Sequence, residues 1–397
     1  MKRTSETIAN RQYLCLNSSA IKDLRDSLPD RVDTHQMPPT RQPETTDKWL
    51  LSSALQKLIR RGRSIDAVGV AQRLHAVDPR YLARRLPIIA VEDVGVGDLV
   101  CCHDAFALCS ESRWWRVDAD QTIGFLVHAM AESVKSRAAC DALCLGDTHA
   151  DTTAMLPALL AADRSHLVSL VSESTRPQLE RINALRVLGG ITVRDGSSYK
   201  VVSPCDLLSL DQVAAQLELP PLVRWLMAKQ RKSSSLAAML PIAVEASARR
   251  VVVPGDDFPF SLCTVGGIPL CAVDMFSEFG RSALREFFLG SRRLMSFCSA
   301  HARGANAVRL LNMALFHVES SLASQQLMSP ELSALTDATC AQEMRSHGMS
   351  DPEARHALST LLREEASKLA AIRIRRLRTL LELDDLGGER PSEVFDV

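Results

Sequence analysis

Several short stretches set acids, histidines, thiols or glycines at spacings that could do chemistry. Residues 89–98 read IAVEDVGVGD, in which Glu92, Asp93 and Asp98 offer carboxylates and Gly95 and Gly97 offer backbone that could cradle a phosphate. A phosphate loop needs a lysine behind its last glycine, and the chain contains no Gly-Lys dipeptide. A dinucleotide fingerprint needs a third glycine and a preceding strand, whereas this stretch follows a helical pattern. The spacing favours a charged helix end stopped by glycine, with Glu92, Asp93, Gly95 and Asp98 in structural roles.

Other constellations point to metal-assisted hydrolysis. In LGDTHADTT, Asp147, His149 and Asp151 have the D-x-H spacing of a dinuclear metallophosphoesterase, but no GNH[DE] cluster follows to complete the ligand set, and capping of the next helix is the simpler use. Asp274 and Glu278 lie four apart and could form an acid pair; Asp274 is equally well placed to cap the helix from 277. In CCHDAFALC, Cys101 and Cys102 diverge by about 100° on a helix, so buried thiols are expected there instead of a metal site. His317 and Glu319 sit in an apolar helical run, where a satisfied core histidine is expected. These readings call for no metal and no cofactor.

Clustered cations carry a different chemistry, the binding of phosphate. Arg60, Arg61 and Arg63 close one helical pattern, Arg84 and Arg85 lie in the next but one, and Lys229, Arg231 and Lys232 precede a serine run. Arg373, Arg375, Arg376 and Arg378 crowd the last helix, and residues 355–378 hold seven Lys/Arg against two Glu, a local stripe that could meet nucleic-acid phosphates or an acidic protein. Lys plus Arg and Asp plus Glu both number 47, so any such binding must come from local clusters and not from a global field.

The elements that would position these groups are mainly helical. A chain of 397 residues with 46% hydrophobic content can bury real cores. Eleven scattered cysteines without a CxxC pair suit a reducing compartment. No apolar run is long enough to span a bilayer and the N-terminus lacks a signal-peptide core, so a cytoplasmic protein without a membrane partner is expected. Residues 1–46 read as a tail and linker without a core of their own. Helices follow from Trp49 to Gly62, from Asp66, and from Asp78-Pro79, the last with Pro87 as a kink. Further helices are expected over 120–145, 153–172, 207–248, 277–290, 293–324, 330–348 and 351–385. An Asp195-Gly196 turn between ITVR and YKVV predicts a β-hairpin, and residues 249–276 read as irregular or short strand. The expected units are 47–150, a helical unit with the hairpin over 151–250, a mainly helical unit over 251–390, and a tail over 391–397.

Residues 48–98 resemble the C-terminal helical domain of the RarA/MgsA-type AAA+ ATPases, relatives of the clamp loaders. The likeness rests on SALQKLIRRG followed by DAV, then on DPRYLARRLPIIAVEDVGVGD, and more loosely on FLVHAMAESVKSRAACDAL; it spans about a quarter of the chain, residues 48–145. It implies a collar-like helical bundle over 47–150, self-association and a replication or repair setting. The ATPase core that precedes this region in the family has no counterpart in the 46 residues before it. The chain is also similar to uncharacterised phage and mobile-element proteins with a Pro-x-x-Ala-x-Asp-Met-x-Thr-x-x-Gly-Arg element, which GIPLCAVDMFSEFGR resembles; Phe276, Ser277 and Glu278 depart from its core.

The expectation is a non-enzymatic protein of DNA replication, repair or mobile-element maintenance. It would self-associate as a homo-oligomer and bind DNA, a replication protein or a separate ATPase, with Arg60, Arg61, Arg63, Arg84, Arg85, Arg373, Arg375, Arg376 and Arg378 as the DNA-contact set. One alternative is a metal-dependent hydrolase or nuclease using Asp147, His149, Asp274 or Glu278. A protein-only scaffold is the other.

Overall fold

The computed structural model describes residues 18–111, 118–195, 198–229, 235–302 and 307–381. The expected tail 391–397, Gly196 of the hairpin turn, and Arg231 and Lys232 lie outside them. In order, the elements are α1 (Ser18–Asp26), α2 (Leu28–Asp33), α3 (Lys48–Arg60), α4 (Ser64–Val77), α5 (Pro79–Ile89), α6 (Leu99–Ser110), α7 (Ala119–Glu132), α8 (Ala138–Thr148), α9 (Ala150–Ala161), α10 (Arg164–Ser172) and α11 (Gln178–Gly189). There follow β1 (Ile191–Asp195), β2 (Ser198–Ser203), α12 (Leu207–Gln216), α13 (Pro221–Ala228), α14 (Leu240–Ala246), β3 (Val251–Pro254), β4 (Thr264–Val265) and β5 (Ile268–Pro269). The last are α15 (Glu278–Gly290), α16 (Arg292–His301), α17 (Ala307–Leu315), β6 (Gln325–Met328), α18 (Pro330–Ser346), α19 (Pro352–Glu364) and α20 (Ala366–Leu380). The protein is mainly α, as its patterning predicts.

Local chemistry sets the helix ends. Asp47 starts α3 by accepting from the backbone N–H groups of Trp49 and Leu50 at 2.9 and 3.0 Å, and Gly62 ends it at φ 67°. Asp78 accepts from the Tyr81 N–H at 2.9 Å with Pro79 in the first turn of α5. Beyond Ile89 that helix widens into a π turn, Ala90–Val94, and a 3-10 turn, Gly95–Gly97, before Asp98 caps α6. Leu50, Leu51, Ala54, Leu55, Leu58 and Ile59 of α3 meet Leu82, Leu86 and Ile89 of α5 in a core that extends from Leu28 to Leu377. A second core gathers Phe258, Phe287, Phe288, Leu310, Leu358 and their neighbours.

Among the described residues there are three two-stranded sheets, all antiparallel. β1–β2 is the expected hairpin and β4–β5 a tight one, whereas β3 pairs with the distant β6, Val251 opposite Met328. The backbone of Lys135 lies along the other side of β6: its N–H donates to the Gln325 carbonyl and its own carbonyl accepts from Leu327, both at 2.9 Å.

Several expectations need correction. Leu28 and Val32 are both 2% exposed, and Arg31 forks onto Asp104 at 2.6 and 2.9 Å, so the segment before α3 contributes to the core after all. The helix expected over 120–145 breaks at Ser133–Arg137, where the chain becomes extended to meet β6. The run 153–172 divides at Ala162–Asp163, and Asp163 caps the second piece. The run 351–385 divides at Glu365, whose carboxylate is held by Ser291 at 3.2 Å and Lys368 at 2.8 Å. At Ser133–Arg137 and at Glu365 a tertiary partner supplies what periodicity cannot register, whereas at Asp163 the cap is local. Among the described residues no helix is long and apolar enough to cross a membrane.

Candidate functional site

Helix α3 is apolar on one side and carries Trp49, Ser52, Gln56, Lys57 and Arg60 on the other, residues that share a stripe at about 100° per residue. The rest of the chain folds its charged motifs over that stripe. Asp93 is fully buried and accepts from Arg60 Nε at 2.7 Å, Arg137 at 2.8 Å and Gln56 Nε2 at 2.9 Å. Gln56 also accepts from Arg85 at 2.5 Å. Glu92 lies at the rim, with Arg85, Arg137 and Arg60 at 3.6, 3.8 and 3.9 Å. Burial opposes ionisation of Asp93, but the Arg60 and Arg137 charges and the donated hydrogen bonds outweigh it and hold the carboxyl below its ordinary range.

Two further buried pairs continue the network. Lys57 is bonded to Asp274 and, at 2.8 Å, to Ser53 Oγ; Asp274 also accepts from the Phe276 N–H at 3.0 Å. Glu319 takes both nitrogens of Arg373 at 2.6 and 2.7 Å, while Arg373 Nε donates to the Val273 carbonyl at 3.1 Å. Arg61 donates to the carbonyls of Asp256 and Glu319, each at 3.2 Å, and pairs with Asp257 at 3.1 Å. Burial, reinforced by Glu319, pushes the neighbouring Cys271 thiol up to about 11. The buried carboxylates Asp93, Asp274 and Glu319 are each engaged by a cation, so these pairs fasten elements together.

The flanks carry two more strained ionisations. His317 and Glu343 are 2.9 Å apart; burial lowers the histidine, yet Cys340 and Glu343 raise it to about 9. Lys135 donates to the Ala131 carbonyl at 2.8 Å and to the Ser133 carbonyl, and burial brings its ammonium down to about 8.

The residues expected at a phosphate surface divide sharply. Arg60, Arg61 and Arg373 are 2%, 8% and 2% exposed and spent on carboxylates and carbonyls inside the fold, which corrects their reading as DNA contacts. Arg63 is exposed and paired with Asp66, Arg84 is exposed, and Arg85 is half-buried. Arg375 and Arg376 share Glu286, and Arg378 is half-buried on α20. Asp93 lies in the π turn that ends at Gly95 and is at the same time an interior hub. Gly95 does sit at a helix end, with φ 50°, but Gly97 is needed for close approach: a Cβ there would lie 2.1 Å from the Val134 carbonyl oxygen. Asp98 caps α6 through the Cys101 N–H at 3.0 Å and accepts from Ser133 Oγ at 3.0 Å.

Of the alternative catalytic residues, Asp147, His149 and Asp274 are engaged by other groups and Glu278 is exposed. Asp147 pairs with Arg186, His149 caps α9 by accepting from the Asp151 N–H at 3.2 Å, Asp274 is buried against Lys57, and Glu278 is exposed in the first turn of α15. Asp274 does not cap that helix; Ser277 does, accepting from the Gly280 N–H at 2.9 Å. Cys101 and Cys102 are buried thiols as expected, raised well above their ordinary pKa by burial and by Asp98. Among the described residues no three His, Cys, Asp or Glu are grouped to hold a metal ion.

What the site presents outward is aromatic and cationic. Trp49 is 56% exposed and meets Tyr81 edge-on at 5.7 Å, with Lys48 Nζ 5.2 Å from each ring. At the other end of the stripe Phe276, 57% exposed, meets Phe316 edge-on at 5.7 Å; Lys57 lies 5.8 Å from the first ring and Arg137 5.6 Å from the second. Sequence reading passed over Lys48, Trp49, Tyr81, Gln56, Lys57, Arg137 and Phe316. The available signal was a tryptophan at the head of a helix whose remaining polar positions fall on the same side. Compared with family models, with curated proteins and with solved structures, the chain matches none.

Proposed function

We propose that this chain is a non-enzymatic DNA-binding protein of a replication, repair or mobile-element setting that acts with copies of itself. The resemblance of residues 48–145 to a clamp-loader-type collar supplies the setting. One observation carries the binding: with Arg60, Arg61 and Arg373 drawn inside, the exposed cations among the described residues of the collar-like region are Arg63, paired with Asp66, and Arg80 and Arg84 of α5, near the half-buried Lys48 at the start of α3. Arg80 and Arg84 are exposed one helical turn apart, and Lys48 and Arg84 both act on Asp78. Such a cluster on a chain of zero net charge is a local field suited to phosphates.

Self-association has its own support in Val201, Val202, Leu207 and Leu208, which are 56%, 39%, 45% and 71% exposed around β2 and α12. Fluorescence anisotropy with labelled DNA over a salt series tests the first limb. Affinity should fall steeply with salt, and Arg80→Glu with Arg84→Glu should abolish it; no binding at low salt removes DNA from the reading. Light scattering on the eluting protein tests the second, and a monomer at every concentration removes self-association.

A further inference from the structure

We propose that the surface over α3 takes single-stranded DNA, with bases stacked on Trp49 and Phe276 and phosphates met by Lys48, Arg84 and Arg85. This deepens the DNA-binding reading and rests on it. Trp49 and Lys57 are eight residues apart on one helix, a rise of roughly 12 Å, and Lys57 Nζ lies 5.8 Å from the Phe276 ring centroid. Between them the buried Ser52 bonds the Tyr81 hydroxyl at 3.0 Å and the half-buried Gln56 holds the half-buried Arg85.

Each exposed ring is held by an edge-on aromatic partner and approached by a cation, which fixes its orientation while leaving more than half of its surface to solvent. Aromatic side chains exposed beside cations are what unpaired bases stack on, since every base has a π-face and the backbone brings its charge alongside. A duplex keeps its bases stacked within, so it could use only the cations of this face. Beside the rings Asp78 is engaged by Lys48 at 3.2 Å and Glu92 by three arginines, while Arg84 is exposed and Arg85 half-buried.

The test uses the full chain with fluorescein-labelled oligo-dT of about 15 nucleotides and a hairpin duplex of matched length, read by anisotropy. The oligo-dT should bind about tenfold more tightly than the duplex. Trp49→Ala and Phe276→Ala should each weaken oligo-dT about tenfold, Trp49→Phe should retain most of the affinity, and the melting temperatures should stay close to that of the parent protein. If both alanine variants bind oligo-dT as the parent does, or duplex binds equally well, the stacking assignment is overturned while DNA binding stands. If the variants change the oligomeric state and not DNA affinity, the face is a protein contact and the proposal is overturned. Absence of binding to either DNA overturns the functional reading beneath it.

Discussion

Asp93 shows how burial changes the weight of a single residue. Its carboxylate is surrounded by Arg60, Arg137 and Gln56 with no exposure to water. Asp93→Asn would leave two guanidiniums poorly compensated in the interior, and a loss of about 3–5 kcal/mol is expected from urea unfolding. Glu92, one residue away but at the rim, makes only long ion pairs, so Glu92→Gln should cost less than about 1 kcal/mol in the same assay. Equal losses at the two positions would contradict this assignment. His317 gives the pH counterpart. Its folded pKa of about 9 lies above the ordinary 6.5, so the stabilisation is complete below pH 6.5 and is lost as pH rises through 9. Stability should therefore fall by up to about 3 kcal/mol over that window, and His317→Asn should flatten the profile. Lys135 works with the opposite sign: its lowered pKa makes protonation unfavourable to the fold, and the penalty eases as pH rises from about 8.

At the scale of elements, the decisive feature is a segment that gives up its helix. Val134–Ser136 runs extended between β6 and the Gly95–Gly97 turn, with Ser136 N–H donating to the Asp93 carbonyl at 2.9 Å. Gly97→Ala would set a methyl 2.1 Å from the Val134 carbonyl oxygen and should lower stability by more than about 2 kcal/mol. Gly290 ends α15 with nothing within 4 Å of its Cβ position, so Gly290→Ala should be neutral or stabilise by about 0.5 kcal/mol. Thermal unfolding of the two variants distinguishes a close-approach glycine from one that merely ends a helix. Periodicity finds α3 and α5 because their apolar faces are local patterns. It misses the breaks at Ser133–Arg137 and Glu365, where the competing hydrogen bonds come from residues far along the chain.

Across the whole molecule, the charged network ties the first core to the second. Arg373 and Glu319 bring α20 against the turn before β6, and Arg61 reaches from α3 to Asp256, Asp257 and Glu319. Arg373→Ala should cost about 3–5 kcal/mol by stranding Glu319, whereas Arg373→Met with Glu319→Leu should recover most of it, because a well-packed apolar pair can replace a buried ion pair. A double variant no better than the single would show that the pair contributes more than mutual neutralisation. The sequence by itself determined the mainly helical fold, the helix starts at Asp47 and Asp78, the glycine stops and the hairpin, since each depends on residues within a turn or two of one another. It could not determine which arginines face water. Arg60, Arg84 and Arg373 look alike in a linear pattern, and only the tertiary structure supplied Asp93 and Glu319 to draw two of them inside while leaving the third exposed. The reason is physical: a long cationic side chain follows its carboxylate, and these carboxylates reach it across 33 and 54 positions of sequence.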